Sequence, residues 1–343
     1  LTPLECGNSG TTARLLAGLL SGQGLTFNLV GDSSLSSRPM GRIIKPLLKM
    51  NSKISSNNNR LPLKISNTKL VGINYKLPVA SAQLKSAIIL AALGAKGKTR
   101  ITEKIATRNH TELMINYLGG NILVDGNQIE ILPLENKLSS FKMEIPGDPS
   151  SAAFFAMAAA MIPGSDLTIK NILANTMRIG FFNILEKMGG GVIWKNIRDV
   201  CGEKVGDVQV YYRPLHGISI DEEIIPSLID ELPALAVLAS TAEGITTVMG
   251  AQELRVKETD RISAICKNLY SMGVNIIEKR DGFIISSPNI LYNANIKSYG
   301  DHRIAMAFII AGICAGKYNN IDDVKCINNS FPEFIKVLNT IIK

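Results

Sequence analysis

Apolar residues along this chain are spaced as in helices in some segments and as in strands in others, and the same order of segments recurs. Each recurrence opens with a polar turn, an Ala/Leu-rich run that is apolar on all sides, and a short β-branched run. A second polar turn then leads into a run with one apolar stripe at helical spacing, followed by Gly and further β-branched residues. This order predicts a repeated supersecondary unit in which two helices alternate with strands.

The first helix predicted in each repeat is apolar nearly all round, so we expect it to be buried on all sides. These helices begin near Gly7, Ala80, Gly147, Ile229 and Gly300. The β-branched runs that follow the first four helices are typical of strands. They read "GLTFNLVG", "KTRITEK", "DLTIKNI" and "GITTVMG".

The second helix predicted in each repeat has one apolar stripe and should lie nearer the surface. These helices read "RPMGRIIKPLLKM", "HTELMINYLGG", "RIGFFNILEKMGG", "KETDRISAICKNLYSMG" and "FPEFIKVLNTIIK". A chain of 343 residues is long enough for two domains. Because five repeats divide unevenly between two domains, we expect that an N-terminal repeat is missing from this sequence.

The net charge of the chain favours an anionic partner. It carries 37 Lys and Arg against 29 Asp and Glu, which gives a formal charge of +8. Such an excess suits phosphorylated small molecules or nucleic acid. Aromatic residues are only 6% of the chain, and no long run of Lys or Arg appears, so nucleic acid is the less favoured partner.

The five cysteines are odd in number and widely spaced, with no C-x-x-C pair or Cys/His cluster. Neither a disulfide framework nor a metal site is predicted, and reduced thiols suit a cytoplasmic protein. The longest apolar stretches, "AAFFAMAAAMIP" and "IAMAFIIAGICAG", are shorter than the ~20 residues that a membrane helix needs. We therefore expect no membrane partner.

Three polar junctions in the first two repeats lie at helix starts, where free backbone N–H groups attract anions. "GNSGTTAR" contains Gly10 but lacks the Lys of a nucleotide P-loop. The loop "GDSSLSS" ends at Arg38, which is either an anion ligand or an ordinary surface arginine. In "VASAQLKSA", Ser81 and Gln83 occupy the first turn of a buried helix, so Gln83 should make an important hydrogen bond.

The segment "ELRVKETDR" concentrates charge just before the apolar stripe of Ile262, Ile265 and Leu269. Its simplest interpretation is a solvated first turn, and the alternative is a cluster of cations that binds anions. In "LIDELPAL", one of Asp230 and Glu231 should cap the next helix, and the other, if shielded, could act as a base.

The segment "GDHRIAMAF" places three ionisable residues before a long apolar helix. Arg303 stands at the mouth of that helix and needs an anionic partner. His302 is one of only three histidines, and no neighbouring spacing indicates a metal ligand. A structural role is the simpler interpretation for His302.

Taken in order, these motifs resemble the EPSP synthase family, the 3-phosphoshikimate 1-carboxyvinyltransferases. The resemblance runs from about residue 5 to residue 335 and rests on "GNSGTTARL", "RPM", "SAQLKSA", "HTELM", "GDPSSAAFF", "DELPALAVLA", "LRVKETDRI" and "GDHRIAMAF". It implies a two-domain inside-out α/β barrel built from β-α-β-α-β-β units, with five of six units present. Residues 1–146 would form the upper domain, without its first unit, and residues 147–343 would form the lower domain. The active site would lie in the cleft between the two domains.

The resemblance also implies a reaction between phosphoenolpyruvate and shikimate 3-phosphate, without metal or organic cofactor. The residues implied for phosphoenolpyruvate are Gly10, Arg38, Gln83, Arg261 and Arg303. Those implied for shikimate 3-phosphate are Ser81, Gln83, Thr107, Asp230 and Lys257. Asp230 would be the base for the 5-hydroxyl, and Glu258 would handle the proton at the methylene carbon of phosphoenolpyruvate. A monomer is expected once the N-terminal repeat is supplied, while Glu253, Arg255 and Asp260 would be structural or solvated.

Two family features have no match here. The N-terminal P-G-S-K-S-type segment with its active-site Lys is absent from this sequence, and Asn329 occupies the place of a further Lys. A catalytically impaired fragment that only binds ligand is therefore one alternative. The related enolpyruvyl transferase that acts on UDP-N-acetylglucosamine is less favoured. It typically has a cysteine in the loop before the Arg-Pro pair, and that loop here is "GDSSLSS".

Overall fold

A computed structural model describes residues 2–287 and 289–342 of the chain. The chain divides into two compact units, Leu1–Met143 and Glu144–Lys343. The sequence prediction put the boundary between residues 146 and 147.

The first unit contains two repeats with the same order of elements, apart from one additional short helix, α2, in the first repeat. The first repeat has β1 (Leu4–Glu5), α1 (Gly10–Gly22), β2 (Phe27–Val30), α2 (Ser33–Ser37), α3 (Gly41–Lys49), β3 (Lys53–Asn57) and β4 (Arg60–Ser66). The second repeat has β5 (Asn74–Lys76), α4 (Ala82–Ala92), β6 (Thr99–Thr102), α5 (His110–Tyr117), β7 (Ile122–Asp125) and β8 (Gln128–Ile131).

Each repeat of the first unit forms its own four-stranded sheet, in the orders β1-β2-β4-β3 and β5-β6-β8-β7. The first two strands of each sheet are parallel and the others antiparallel. In β4, Leu61, Leu63 and Ile65 are buried while the residues between them are exposed. One face of the sheet therefore covers the helices and the other faces solvent.

The second unit contains three further repeats. The third repeat has α6 (Pro149–Met161), β9 (Asp166–Leu173), α7 (Gly180–Lys187), β10 (Gly191–Val200) and β11 (Glu203–Tyr211). The fourth repeat has β12 (Ser219–Ile220), α8 (Leu232–Ala239), β13 (Gly244–Val248), α9 (Arg261–Ser271), β14 (Asn275–Lys279) and β15 (Gly282–Ser287). The fifth repeat has β16 (Asn295–Ile296), α10 (His302–Cys314), β17 (Asn320–Ile321) and α11 (Phe334–Ile341).

The sheets of the second unit repeat the same connectivity. One has the order β12-β13-β15-β14, with β12 parallel to β13. A second has the order β10-β11-β9, and a parallel bridge from Gly147 to Ile172 takes the place of its first strand. In the fifth repeat, β16 pairs in parallel with β17. The order of helices and strands predicted from the sequence thus recurs through the described residues, although no strand pair follows the second helix of the fifth repeat there.

Helices form the centre of each unit. In the second unit α6, α8 and α10 pack against one another, and nearly every side chain of each is buried. In the first unit α1 packs against α4. A Cβ atom at Gly18 of α1 would lie 2.1 Å from the carbonyl oxygen of Ala87 of α4, so this crossing needs glycine.

Two sequence expectations about the first repeat are wrong. Helix α1 is not buried all round, because Ala13, Ala17 and Gly18 are buried while Leu16 and Leu20 pack against the core only partly buried. The segment "GDSSLSS" is not a plain loop, because it contains α2. Asp32 caps α2 by accepting a hydrogen bond from the backbone N–H of Leu35 at 2.7 Å, which stabilises even a five-residue helix.

Within residues 2–287 and 289–342, the helices are all too short or too polar to serve as a membrane span.

Candidate active site

The charged segment before α9 is largely exposed or half-buried, but its last residue, Arg261, is buried. Asp260 caps the helix by accepting a hydrogen bond from the backbone N–H of Ser263 at 3.0 Å. The apolar stripe of α9 is fully buried, as its spacing predicts. Arg261 is the first residue of α9 and lies one position before this stripe, and it is only 1% exposed.

Three carboxylates surround the Arg261 guanidinium. Its Nε donates to Asp301 Oδ2 at 2.7 Å, and its Nη2 donates to Asp301 Oδ1 at 3.3 Å. The same Nη2 donates to Glu258 Oε2 at 2.6 Å, and Nη1 lies 3.5 Å from Asp230 Oδ1. A buried arginine needs this degree of pairing to remain stable.

Burial and neighbouring charges shift the pKa values of Arg261 and Asp301 in opposite directions. Burial works against the charge on Arg261, but Asp301, Glu258 and Asp230 raise its pKa above the ordinary value. Burial alone would raise the pKa of Asp301, but the guanidinium of Arg261 and the hydrogen bonds that Asp301 accepts lower it below the usual range. Arg261 and Asp301 therefore form a fixed, fully charged pair.

Asp230 lies before α8 and is shared by two cations. Its Oδ1 atom is 3.3 Å from Lys257 Nζ, as well as 3.5 Å from Arg261 Nη1. The carboxylate side chain is 14% exposed and that of Lys257 is 31% exposed, so both are shielded but still accessible to solvent.

The expectation that Asp230 or Glu231 caps α8 through its side chain is wrong. Glu231 occupies the cap position but makes no side-chain capping bond. Its buried carboxylate instead accepts a hydrogen bond from the hydroxyl of Ser150, and it lies 4.0 Å from Arg303 Nη1. These interactions draw the carboxylate away from the helix end.

The start of α10 is organised by Asp301. Its carboxylate accepts hydrogen bonds from the backbone N–H of Arg303 at 2.8 Å and of Ile304 at 3.4 Å. The Arg303 guanidinium donates to the carbonyl oxygen of Asp230 at 3.2 Å. Burial and then the charge of Arg303 lower the pKa of His302, which favours the neutral imidazole.

Arg255 and Asp260 form a structural pair. Arg255 Nη1 donates to Asp260 Oδ2 at 2.7 Å, and Nη2 lies 2.9 Å from Glu278 Oε1. Arg255 also donates to the carbonyl oxygens of Lys279 and Arg280. These contacts fix the segment before α9 against the end of β14.

In the first unit, one residue that the sequence reasoning passed over joins three junctions. Arg14 Nη1 donates to Gln83 Oε1 at 2.7 Å, and Nη2 donates to the carbonyl of Pro39 at 3.3 Å. Gln83 Nε2 in turn donates to Thr11 Oγ1 at 2.7 Å, so the expected hydrogen bonding of Gln83 is confirmed. A Cβ at Gly10 would lie 2.8 Å from Arg14 Nη1, which shows how closely the guanidinium covers that turn.

Several arginines lie near one another at these junctions. Burial lowers the pKa of Arg14, and the charges of Arg42 and Arg38 lower it further. Arg38 Nη2 donates to Asn8 Oδ1 at 2.7 Å and lies 3.4 Å from Ser34 Oγ. The only sequence signal for Arg14 was a cation inside an otherwise apolar helix.

Ser81 caps α4, where its hydroxyl accepts a hydrogen bond from the backbone N–H of Leu84 at 3.4 Å. Thr107 is 4% exposed, and its hydroxyl donates to Glu103 Oε1 at 2.6 Å. Lys85 is a second residue that the sequence reasoning passed over, and its ammonium contacts both Glu103 and the Thr107 carbonyl.

Within the described residues, no group of three His, Cys, Asp or Glu side chains is arranged to hold a metal ion. The charged residues of the second unit instead combine three cations, Lys257, Arg261 and Arg303, with carboxylates that lie 2.6 to 4.0 Å from them. Cations beside carboxylates suit a reaction that binds anions and moves protons.

The sequence profile of EPSP synthase, 3-phosphoshikimate 1-carboxyvinyltransferase, matches residues 1–338 of this chain. The chain belongs to the EPSP synthase family. It is 48% identical to the 3-phosphoshikimate 1-carboxyvinyltransferase of Syntrophomonas wolfei, over 99% of this chain and 80% of that protein. It is 46% identical to the enzyme of the same name from Streptococcus pyogenes serotype M49, over 98% of this chain and 79% of that protein.

Solved structures confirm the predicted fold class. EPSP synthase from Acinetobacter baumannii superposes with a TM-score of 0.90 at 40% identity, covering 99% of this chain and 78% of that chain. The enolpyruvyl transferase NikO from Streptomyces tendae has a TM-score of 0.72 at 13% identity, covering 95% and 74% of the two chains. At 13% identity, the likeness to NikO shows a similar fold and nothing more.

Proposed function

We propose that this chain transfers the enolpyruvyl group of phosphoenolpyruvate to the 5-hydroxyl of shikimate 3-phosphate and releases phosphate. The main support is that Asp230 and Glu258 both contact the Arg261 guanidinium, at 3.5 and 2.6 Å, while Lys257 adds a second cation at Asp230. Two accessible carboxylates beside two cations provide both proton transfer and anion binding. Membership of the EPSP synthase family selects this reaction among those that such a site suits.

The two carboxylates have different tasks in this proposal. Asp230 accepts the proton of the 5-hydroxyl, whose oxygen bonds to C2 of phosphoenolpyruvate, and Lys257 holds the shikimate ring nearby. Glu258 supplies a proton to the methylene carbon, which makes C2 electrophilic, and takes a proton back when the C2–O bond to phosphate breaks. The hydroxyl proton held by Asp230 leaves with the phosphate, so both side chains return to their starting states. The Glu258 side chain is 38% exposed, so a substrate can reach its carboxylate.

Anion binding is assigned to the arginines. Arg261 and Arg303 bind phosphoenolpyruvate from the second unit, with Gly10, Arg38 and Gln83 assigned to it from the first unit. The Arg303 guanidinium donates to a carbonyl and lies 4.0 Å from Glu231, so it retains N–H donors for an anion. Ser81, Gln83 and Thr107 are assigned to shikimate 3-phosphate.

Phosphate release by this 343-residue chain, with each substrate alone and with both together, tests the proposal. We expect release only with both. Asp230→Asn should lower kcat by at least about a hundredfold, because general-base catalysis supplies that much or more. Asp125→Asn, which changes an exposed strand carboxylate in the same way, should leave kcat unchanged.

Release that needs only one substrate would contradict the proposed reaction. A folded chain that binds shikimate 3-phosphate in calorimetry without releasing phosphate would instead support the alternative of a ligand-binding protein without activity. Full activity of the Asp230→Asn variant would remove Asp230 from its proposed role while leaving the reaction in place.

A further inference from the structure

Lys85 is a buried charge that the proposed reaction does not use. Its side chain is 1% exposed, and it lies in the first turns of α4, a helix otherwise made of Leu, Ile, Ala and Ser after Gln83. Lysine is almost never fully buried unless its charge is paired.

The Lys85 ammonium has three partners, one for each of its N–H donors. It lies 3.1 Å from Glu103 Oε2, 2.8 Å from Glu112 Oε1 and 2.9 Å from the carbonyl oxygen of Thr107. Glu103 in turn accepts the Thr107 hydroxyl proton at 2.6 Å. Thr107 is thus held at both its main chain and its side chain by the same ion cluster.

Stability alone is a poor explanation for this cluster. One lysine and two glutamates leave a formal charge of −1 in the interior, and Glu112 Oε2 has no hydrogen-bond partner among the described residues. Burial raises the pKa of Glu112, although Lys85 opposes this. Apolar side chains of the same volume would stabilise such a site as well or better. What the ion cluster supplies in addition is a fixed position for Thr107.

The cluster also connects Thr107 to the start of α4. The backbone N–H of Lys85 donates to the carbonyl of Ser81 at 3.0 Å, so Lys85 lies one helical turn beyond the cap. Side chains of a helix lean toward its N-terminus, which directs the ammonium back along α4 toward the turn of Ser81 and Gln83. A second link, 2.7 Å between the hydroxyls of Ser86 and Thr111, ties α5 to the same helix.

We propose that Lys85 is a positioning residue for shikimate 3-phosphate. It holds the segment around Thr107 in register with the Ser81–Gln83 turn, so that the residues assigned to this substrate are in place before it binds. The inference rests on the proposed function, because Ser81, Gln83 and Thr107 are assigned to shikimate 3-phosphate there.

The test compares two double variants of the 343-residue chain. Lys85→Met with Glu112→Gln removes the ammonium but keeps the formal charge of the cluster at −1. Lys98→Met with Glu130→Gln makes the same chemical change at an exposed pair of the same unit, whose Lys98 Nζ and Glu130 Oε1 atoms are 3.3 Å apart. Steady-state kinetics and calorimetric binding of shikimate 3-phosphate are measured for both variants and for the parent.

We expect the Lys85 variant to raise KM and Kd for shikimate 3-phosphate about tenfold, because a displaced binding residue loses affinity without altering the chemistry. Its KM for phosphoenolpyruvate and its kcat should stay within about twofold of the parent, and the exposed-pair variant should match the parent in all constants. A purely structural role would lower the unfolding temperature without this selective change in KM.

The outcomes separate the inference from the function on which it rests. An active parent with an unchanged KM for shikimate 3-phosphate in the Lys85 variant overturns the inference alone. A parent that neither binds shikimate 3-phosphate nor releases phosphate overturns the proposed function and the inference with it. If the double variant does not fold, Lys85→Met with Glu112→Leu decides: it also removes the ammonium, and it replaces the carboxylate that this leaves unpaired by an apolar side chain. An unchanged KM for shikimate 3-phosphate in that variant overturns the inference.

Discussion

At the scale of single residues, the second unit balances charge inside the protein rather than at its surface. Arg261 is almost fully buried, and Asp301, whose side chain is fully buried, bonds to it through both carboxylate oxygens. Asp301 also caps α10, so one carboxylate neutralises a cation and begins a helix. Removing the charge of Asp301 would leave the buried Arg261 guanidinium with less negative charge around it. The start of α10 would also have a weaker hydrogen-bond acceptor.

Asp301→Asn keeps the size and shape of the side chain but loses its charge. We expect it to reduce the free energy of unfolding at pH 7 by about 3 kcal/mol, the lower range for breaking a buried ion pair. Asp199→Asn removes a carboxylate from an exposed pair with Lys204 and should cost at most about 1 kcal/mol. Urea unfolding of both variants and the parent measures the difference.

The same variant should change the acid dependence of stability. The pKa of Asp301 is lowered in the folded protein, so its contribution is complete above the unfolded pKa of about 3.9 and is lost as the pH falls through the lower, folded value. The gap in unfolding free energy between parent and Asp301→Asn should therefore narrow below about pH 4. A gap that stays constant from neutral to acid pH would contradict the assignment.

At the scale of helices and strands, local sequence predicted the features that interactions between neighbouring residues determine. A polar turn followed by an apolar run placed the starts of α6 and α10 near Gly147 and Gly300, within two residues of their observed starts at Pro149 and His302, because capping and burial act within a few residues. The contact between Arg14 and Gln83 joins residues 69 positions apart, and no local pattern encodes such a pairing. The sequence showed only that a cation was present in an apolar helix.

The same limit applies to the ion cluster of Lys85 and to the missing side-chain cap of α8. In each case a partner from another element determines where the carboxylate or ammonium lies. For Glu231 that partner is Ser150, 81 positions earlier in the chain. The residues assigned to the substrates were found through resemblance to the EPSP synthase family, and their roles remain proposals.

The crossing of α1 and α4 gives a prediction at the scale of elements. In Gly18→Ala the new Cβ would lie 2.1 Å from the Ala87 carbonyl oxygen, so the two helices must separate. We expect a net destabilisation of about 2 kcal/mol, because the strain outweighs the helix propensity of about 1 kcal/mol that alanine gains. Gly41→Ala is the matched control, since its Cβ would meet only Asn59, at 3.5 Å and beyond. Equal stability of the two variants in urea unfolding would contradict the close helix crossing.

At the scale of the whole molecule, charge is distributed unevenly along the chain. Residues 1–143 contain 18 Lys and Arg against 7 Asp and Glu, while residues 144–343 contain 19 against 22. The first unit therefore carries a formal excess of 11 positive charges and the second an excess of 3 negative charges. Since the proposed substrates are both multiply charged anions, the field of the first unit should attract them before any specific contact forms.

This attraction predicts a salt-dependent rate. Raising ionic strength from about 0.05 to 0.5 M shortens the Debye length severalfold, so kcat/KM for shikimate 3-phosphate should fall about tenfold. Reversing two exposed charges of the first unit, Lys53→Glu with Lys64→Glu, should lower kcat/KM at low salt and weaken its salt dependence. The same reversal at two exposed lysines of the second unit, Lys187→Glu with Lys267→Glu, should have a smaller effect. If both pairs lowered kcat/KM equally, the attraction would depend on net charge alone and not on its concentration in the first unit.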